Sequence, residues 1–324
     1  MNKVKKIGVL TSGGDSPGMN AAIRAVVRSA IDFKLDIVGI RRGYNGLING
    51  DAVDLDSRSV SDIIQRGGTF LYTARCMEFM NPEGRQLGLE MAQKLGLDGL
   101  VVIGGDGSFR GAEKLSELGL PTVGIPGTID NDIVCTEYSI GFDTACNIAL
   151  EAVDRLRDTA LSHEKCSLIE VMGRYAGHLA LQVGVAAGAT AVLVPEKASD
   201  IEKDICEKIR EGRASGKTHY IVIVAEGYKD KIDDIAKIIE TQTDISTRVT
   251  VLGHIQRGGS PTVMDRVIAA RMGYRAVDLL RKGIGNRIVA IKNNEVVDYN
   301  INEALCMKKS IDLELCEICK SIAK

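Results

Sequence analysis

Short apolar runs recur along the whole chain and alternate with helical patterns, and this alternation limits the possible folds more than any other feature. The nine runs cover residues 7–10, 36–40, 100–103, 122–125, 167–171, 191–194, 220–224, 249–252 and 288–291. Amphipathic segments such as 19–31 and 144–160 lie between them. Strands that alternate with helices predict an α/β fold in which parallel sheets carry helices on both faces. Because nine strands exceed one comfortable sheet of this kind, we predict two domains.

Composition excludes several classes of protein. A length of 324 residues is also typical of about two domains. The net charge of −2 and the lack of a basic run interleaved with aromatic residues argue against a nucleic-acid partner. The most apolar long stretch, 179–194, is interrupted by Gln182 and several glycines and is shorter than the roughly 20 residues that a membrane span needs. We therefore expect neither a nucleic-acid nor a membrane partner.

The eight cysteines are scattered through apolar segments. Reduced, buried thiols are typical of cytoplasmic proteins, so we expect a cytoplasmic location. Cys316 and Cys319 form one C-x-x-C pair in a segment with a helical pattern, and no second pair has zinc-like spacing. Metal or redox use of this pair is the less favoured alternative.

Three of the apolar runs lead directly into loops rich in glycine, aspartate, serine and threonine. These loops cover residues 11–18 (TSGGDSPG), 104–108 (GGDGS) and 126–132 (PGTIDND). In open α/β sheets, ligands bind outside the carboxyl ends of the strands. A glycine-rich turn before a helix, here predicted at about 109–117, directs backbone N–H groups at phosphate. Asp106 would repel that phosphate unless a cation lay between them, which predicts a magnesium–nucleotide complex.

Asp130 and Asp132 give the third loop its own chemistry. Two close carboxylates suit two functions, since one can bind a cation while the other takes a proton. The alternative is an Asx-rich turn on the surface. The presence of three such loops in the first 132 residues favours the functional interpretation.

Five motifs together resemble those of the bacterial ATP-dependent 6-phosphofructokinase family. They lie at residues 10–20, 103–108, 126–132, 170–174 and 252–260, in order and at matching spacing along essentially the whole chain. The resemblance implies two Rossmann-like three-layer domains with mostly parallel sheets, an active site in the cleft between them, and a homotetramer. It assigns residues 1–140 and 255–305 to an ATP-binding domain, and 141–254 and 306–324 to a fructose-6-phosphate-binding domain.

The resemblance also implies a reaction, the transfer of the ATP γ-phosphoryl to the 1-hydroxyl of fructose 6-phosphate with Mg²⁺. Such a transfer depends on positioning and charge neutralisation more than on covalent help. Asp130 matches the catalytic base, and Thr128 and Asp132 stand beside it. Arg174 matches a residue that reaches toward the transferring group.

The implied contacts to ATP begin with Asp106, which matches the magnesium ligand, and Tyr44, which could stack on the adenine. Tyr44 as a loop aromatic and Cys76 as a filler remain the alternatives. The full set of matching positions is Gly14, Tyr44, Arg75, Cys76, Gly105, Asp106, Gly107 and Ser108.

The implied contacts to the sugar phosphate include three cationic residues, Arg248, His254 and Arg257, which we expect at one strand end and its loop as a phosphate clamp. The resemblance assigns Arg248 to a neighbouring subunit. Lys165 stands where a second cross-subunit arginine is usual, and lysine retains the charge but loses the bidentate fork. The full set is Thr128, Ile129, Asp130, Lys165, Met172, Gly173, Arg174, Glu226, Arg248, His254 and Arg257.

Two glycines bear on the phosphoryl donor. Pyrophosphate-dependent relatives resemble this pattern but carry Asp at the position of Gly107 and Lys at the position of Gly127. Those side chains would fill the region of the nucleotide's α-phosphate, so the two glycines favour ATP.

A regulatory site for ADP or phosphoenolpyruvate is common in the family. The matching positions here are Arg24, Arg28, Asp62, Arg157, Lys217 and His219. Other positions differ. Thr190 replaces a glutamate associated with the effector's magnesium, and Ser215 and Thr218 replace lysines seen in some members. Ser57 replaces an arginine, and Arg58 beside it is the candidate substitute. We therefore predict altered or weakened effector control.

Three alternatives remain at this point. The first is a pyrophosphate-dependent or otherwise divergent sugar-phosphate kinase. The second is a lipid or NAD kinase, which shares the Gly-Gly-Asp-Gly loop but lacks the motifs at 172–174 and 253–257. The third is a catalytically inactive regulatory subunit, which would be expected to have lost Asp130, Asp106 or Arg174.

Overall fold

The described residues, 4–323 of a computed structural model, form two β-sheets, each with its own helices. The strands are β1 (Lys6–Ser12), β2 (Asp36–Ile40), β3 (Ala52–Asp54), β4 (Gly99–Gly104), β5 (Thr122–Pro126), β6 (Cys166–Val171), β7 (Ala191–Leu193), β8 (Tyr220–Ala225), β9 (Thr247–Val251), β10 (Arg287–Lys292) and β11 (Glu295–Asn300). The α-helices are α1 (Met19–Asp32), α2 (Gly43–Asn49), α3 (Pro82–Lys94), α4 (Asp106–Glu117), α5 (Phe142–His163), α6 (His178–Ala186), α7 (Glu207–Ala214), α8 (Ile232–Thr243), α9 (Val263–Arg281), α10 (Ile301–Cys306) and α11 (Leu313–Ile322).

The chain divides into two compact units. Unit 1 contains residues up to 129, then 133–144 and 257–309, and unit 2 contains 130–132, 145–256 and the segment from 310. Each unit has one sheet in which most strand pairs are parallel. The predicted α/β class with mostly parallel sheets is confirmed.

The sheet of unit 1 has the strand order β11-β10-β5-β4-β1-β2-β3. Its five central strands are parallel, while β3 and β11 pair antiparallel at the two edges. All nine apolar runs are strands, but these two edge strands were not predicted. Their side chains are mostly half-buried, so neither strand shows a continuous apolar run.

Helices cover both faces of this sheet, as the predicted three-layer arrangement requires. Along β4, Val101 and Ile103 pack with residues of α1 and α9 in one core. The alternate residues Leu100 and Val102 pack with residues of α2, α3, α4 and α10 in the other. Successive strand residues point to opposite faces, which is why a central parallel strand is apolar throughout.

Strand register brings the three predicted loops to one edge of this sheet. Ser12 at the end of β1 is paired with Gly104 at the end of β4, and Gly104 is paired with Pro126 at the end of β5. The loops that follow these strands therefore begin side by side.

Unit 2 has a four-stranded, fully parallel sheet in the order β7-β8-β6-β9. Val222 and Val224 of β8 share a core with α7 and α8, and the alternate residues Ile221 and Ile223 are buried too. Helix α6 packs against β8 and β7, and α11 packs against α6. The sheet is thus covered on both faces.

Asp265 of α9 fixes the start of α5 within unit 1. Its buried carboxylate accepts backbone N–H bonds from Gly141 at 2.7 Å and Thr144 at 2.9 Å, and also the Thr144 hydroxyl. Burial raises the pKa of Asp265 to about 6. A carboxylate at the first turn of a helix also complements the helix dipole.

Two further expectations concern membranes and thiols. Among residues 4–323, we find no helix with the length and apolarity to cross a membrane. All eight cysteines are free, and Cys316 and Cys319 are buried on α11. Burial raises the pKa of both thiols, as expected of structural rather than reactive cysteines.

Candidate active site

The three loops of unit 1 approach one another through their backbones. A Cβ atom on Gly104 would lie 2.4 Å from the backbone oxygen of Ser12, so only glycine fits there. The Ser108 hydroxyl donates to that same oxygen at 3.0 Å, and the Gly127 N–H donates to the Gly104 oxygen at 3.0 Å. These contacts join the ends of β1, β4 and β5 into one surface.

Helix α4 begins at Asp106, three residues earlier than predicted, so Asp106, Gly107 and Ser108 form its first turn and not a loop. The glycines around Asp106 led to the prediction of a loop, because glycine is a poor helix former. A Cβ atom on Gly105 or Gly107 would meet nothing within 4 Å. The helix N-terminus is therefore uncovered at these two glycines, and N–H groups at a helix N-terminus can bind an anion.

Asp106 supplies an accessible carboxylate at this helix N-terminus. Its side chain is 43% exposed and pairs with Arg110, one turn along α4, at 3.0 Å. Sequence reasoning missed Arg110, although an Asp–Arg pair at i,i+4 is a recognisable helix pattern.

The residues present fit a magnesium ion that is shared with phosphates. Among the described residues, no group of three or more His, Cys, Asp or Glu side chains could form a complete metal site. Mg²⁺ commonly takes one or two carboxylates and completes its shell with substrate phosphates and water. A single carboxylate beside a phosphate-binding helix N-terminus matches that donor set.

Arg257 lies against the first glycine loop of unit 1. Its Nη1 donates to the backbone oxygen of Asp15 at 3.2 Å, and a Cβ atom on Gly14 would lie 2.5 Å from that nitrogen. The sequence did not predict this contact, because the two partners are 242 residues apart. Gly14 leaves its own N–H accessible next to a guanidinium.

Tyr44 belongs to the core of unit 1. Its ring stacks on Phe79 with centroids 4.1 Å apart, its hydroxyl donates to the Ser108 oxygen at 2.5 Å, and burial raises its pKa. Little of the ring is available to an adenine in this arrangement, so adenine stacking stays a prediction. Cys76 is half-buried against the same core, while Arg75 is exposed.

The segment 128–132 differs from a surface turn. Ile129 and Asp130 are 0% and 8% exposed, and Asn131 has a left-handed backbone with φ 51°. The Ser139 hydroxyl donates to the Thr128 oxygen at 2.8 Å, and Thr128 and Asp132 are half-buried. An Asx-rich turn on the surface would leave these carboxylates exposed, so burial argues against that alternative.

In unit 2, the loop after β6 is fixed by two side chains. The Met172 N–H donates to Gln256 Oε1 at 2.9 Å, and the Arg174 N–H donates to Glu226 Oε1 at 2.7 Å. Gly173 and Arg174 have φ of 143° and 57°, so the backbone here is unusual. The Arg174 guanidinium is exposed, 5.6 Å from the centroid of the Tyr175 ring. Sequence reasoning missed Gln256, whose role depends on a contact 84 residues away.

The expected phosphate clamp at one strand end is wrong for Arg248. The strand β9 runs from Thr247 to Val251, so Arg248 lies at its amino end, where it pairs with Ser167. His254 lies in the 3₁₀ turn Gly253–Arg257, beyond the carboxyl end. Lys165 immediately precedes β6 and is therefore at the same sheet edge as Arg248. These two cationic residues are a strand length from the Met172 loop within one chain.

The predicted effector residues fall in both units. In unit 1, Arg28 of α1 donates to the Ser57 backbone oxygen at 2.8 Å. Arg24 is half-buried one turn earlier, and Asp62 is exposed with a left-handed φ of 55°. The backbone oxygen of Ser57 thus still contacts Arg28, but the serine side chain supplies no guanidinium at position 57.

In unit 2, three of the predicted effector residues form a cationic cluster. Burial, and then the charge of Arg157, lower the pKa values of Lys217 and His219. Arg157 itself donates to the Ala187 oxygen. Thr190 is buried, and its backbone oxygen accepts from Lys208 at 3.3 Å. An anion bound among these three side chains would offset their mutual repulsion and stabilise their protonated forms. The cluster therefore suits an anion.

Glycine loops at the carboxyl ends of parallel strands, with a helix N-terminus facing open space, are typical of phosphate-binding α/β proteins. A family model described as Phosphofructokinase matches residues 6–280. ATP-dependent 6-phosphofructokinases of Clostridium botulinum (strain Loch Maree / Type A3) and Bacillus mycoides (strain KBAB4) are 55% and 56% identical, each over 99% of this chain and 100% of the relative. The chain therefore belongs to the phosphofructokinase family.

A solved structure agrees with this assignment. Phosphofructokinase from Saccharomyces cerevisiae has a TM-score of 0.90 and 34% identity to this chain. The match covers 98% of this chain and 48% of the yeast chain.

Proposed function

We propose that this protein is an ATP-dependent 6-phosphofructokinase, which transfers the ATP γ-phosphoryl to the 1-hydroxyl of D-fructose 6-phosphate and releases fructose 1,6-bisphosphate and ADP. The observation that carries the proposal is the 55% identity, over 99% of the chain, to a protein that bears this name. The free cysteines support a cytoplasmic location.

In this proposal Asp130 is the general base that takes the proton of the sugar hydroxyl, with Thr128 and Asp132 beside it. Its low exposure supports the role, because a base shielded from water transfers a proton without competition from solvent. Arg174 neutralises charge on the transferring group. Asp106 would hold Mg²⁺, which when bound would supply charge neutralisation on the ATP phosphates.

The open space beyond Gly105 and Gly107 supports ATP as the donor. An aspartate at position 107 would extend into that space and repel a phosphate, whereas glycine leaves it free. Gly127 is more confined, since its Cβ would lie 3.2 Å from Ile103. Gly107 therefore favours ATP more strongly than Gly127 does.

The sugar-phosphate contacts that we propose within one chain are Met172, Gly173, Arg174, Glu226, His254 and Arg257, with Ile129 and Thr128. Arg248 and Lys165 lie at the opposite ends of β6 and β9 from the Met172 loop. Because a strand of five or six residues spans roughly 17–20 Å, these two would serve a neighbouring copy. This supports the homotetramer implied by the family.

The test is aldolase-coupled turnover of fructose 6-phosphate with magnesium–ATP, run beside magnesium–pyrophosphate. Activity with ATP alone is the expected result. Activity with pyrophosphate would overturn the donor assignment, and activity with neither would favour a regulatory subunit.

We also propose weakened effector control. The cationic cluster of unit 2 supports binding of an anion, but Thr190 is buried and offers no carboxylate for an effector's magnesium. Fructose 6-phosphate saturation curves with and without magnesium–ADP test this. Strong activation by magnesium–ADP would contradict the proposal.

A further inference from the structure

Gln256 is a completely buried polar residue for which neither the motifs nor the proposed chemistry gives a role. It lies in the 3₁₀ turn Gly253–Arg257, between His254 and Arg257, and is 0% exposed. Its Oε1 accepts the backbone N–H of Met172 at 2.9 Å. Met172 is the first residue beyond β6, so this bond fixes the point at which the chain leaves the sheet.

We propose that Gln256 is a positioning residue for the sugar-phosphate site, which holds the Met172-Gly173-Arg174 loop in its binding conformation through the Met172 N–H. The inference rests on the proposed function, since it assigns this loop to fructose 6-phosphate. Gln256 is not a catalytic residue, because its buried amide does not reach a substrate.

The loop needs such a restraint because its backbone adopts conformations of higher energy than the common helical and extended ones. Arg174 adopts φ of 57°, which is unfavourable for a residue with a long side chain. Gly173 adopts φ of 143°, and a Cβ atom there would lie 2.6 Å from the Ala176 oxygen. A conformation of this kind persists only where the surroundings impose it.

The surroundings impose it from two sides. Glu226, which follows β8, accepts the Arg174 N–H at 2.7 Å, while its own N–H donates to the Val171 oxygen at 2.9 Å. Gln256 fixes the other end of the loop at Met172. The two acceptors thus flank Gly173, and the loop is restrained at both ends.

The opposite end of the Gln256 amide makes no hydrogen bond within the described residues. Its Nε2 is buried and has no hydrogen-bond partner among residues 4–323. An unpaired buried donor destabilises a fold, and this cost offsets the stability gained from the bond to Met172. Gln256 uses its Oε1 as an acceptor and leaves its Nε2 unpaired. This is the pattern expected where only the acceptor for the Met172 N–H is needed.

The acceptor can be removed without a large change in volume. Gln256→Met abolishes the bond to Met172 but also removes the unpaired Nε2, so one unsatisfied buried donor replaces another. We expect the melting temperature to change by no more than a few degrees. We expect the KM for fructose 6-phosphate to rise on the order of tenfold, because a loosened loop misplaces Arg174. Because Arg174 is also assigned to the transferring group, kcat should fall as well, whereas the KM for ATP should change less than about threefold.

Gln256→Glu is the rescue variant. A carboxyl group, ionised or not, retains an oxygen that accepts the Met172 N–H. Its KM for fructose 6-phosphate should therefore stay within about threefold of wild type. Gln256→Asn, in which the oxygen is one methylene too short, should resemble the methionine variant and replaces it if that variant does not fold. Gln182→Met on the exposed surface of α6 is the matched control and should behave as wild type.

Two failures are distinguishable. If the wild-type enzyme does not turn over fructose 6-phosphate with ATP, the proposed function is wrong. If it does, and Gln256→Met or Gln256→Asn folds with an unchanged KM for fructose 6-phosphate, the positioning role of Gln256 is wrong. A glutamate variant as impaired as the asparagine variant would also overturn it, because the acceptor would then not be what matters.

Discussion

The carboxyl-end edges of the two sheets carry most of the candidate site residues, but they are built in different ways. In unit 1 the edge is made of glycines and a helix N-terminus, and Gly105 and Gly107 leave open space. In unit 2 the edge is made of an unusual loop that two side chains restrain, Glu226 and Gln256. One edge offers mainly backbone donors, and the other offers side chains, among them Arg174 and Glu226.

This difference fits the two substrates that we propose, ATP and fructose 6-phosphate. A nucleoside triphosphate with a metal needs an open site and many hydrogen-bond donors. Backbone N–H groups beside glycines supply these donors. A small sugar phosphate needs a few binding groups in fixed positions. Residues behind those groups, which do not themselves touch the ligand, hold them in place. We therefore expect the two edges to respond to mutation differently: the first to added atoms, the second to lost hydrogen bonds.

The largest effect should come from Asp130, in the loop that follows β5. Asp130→Ala should lower kcat by about 10²–10⁴, since a general base contributes that much. Binding of fructose 6-phosphate, measured by calorimetry, should remain. Asp234→Ala on the exposed surface of α8 is the control and should leave kcat unchanged. A kcat within about tenfold of wild type for Asp130→Ala would show that the base is another group.

An intermediate effect should follow from filling the open edge of unit 1. Gly107→Asp should reduce kcat/KM for ATP by about tenfold or more, through repulsion of the phosphates, at an unchanged melting temperature. Gly107→Ala adds no charge, meets nothing within 4 Å and should retain most activity. By contrast, Gly104→Ala should lower the melting temperature, because its Cβ would lie 2.4 Å from the Ser12 oxygen. Equal loss of ATP turnover in Gly107→Asp and Gly107→Ala would rule out the charge argument.

The sequence predicted the first edge better than the second. Glycines after apolar runs are local signals, so the loops at the ends of β1, β4 and β5 could be read directly and aligned by the rules of parallel sheets. The same local reading failed where glycine also opens a helix, as at Asp106, and at the polar edge strands β3 and β11. At these places the low helix propensity of glycine and the polar pattern of the edge strands predict loops. Tertiary packing nevertheless imposes a helix start and two strands.

The second edge depends on contacts that no local pattern contains. The bonds from Gln256 to Met172 and from Glu226 to Arg174 link residues 84 and 52 positions apart. The resemblance identified Arg174 and Glu226 as site residues but not the bond between them. The position of Arg248 was wrong for a different reason: we grouped it with His254 and Arg257, although even the predicted run 249–252 places it at the amino end of the strand and them beyond the carboxyl end.

The smallest effect should come from removing only the charge of Glu226. Glu226→Gln retains an oxygen for the Arg174 N–H, so the loop should stay in place. If the carboxylate also accepts sugar hydroxyls, the loss of its charge weakens those bonds by about 1 kcal/mol, and the KM for fructose 6-phosphate rises about fivefold. Glu226→Ala loses both interactions and should raise that KM further, while Glu211→Gln on the exposed side of α7 should change nothing. A KM for Glu226→Gln equal to that of wild type would reduce Glu226 to a restraint on the loop, the same role that we assign to Gln256.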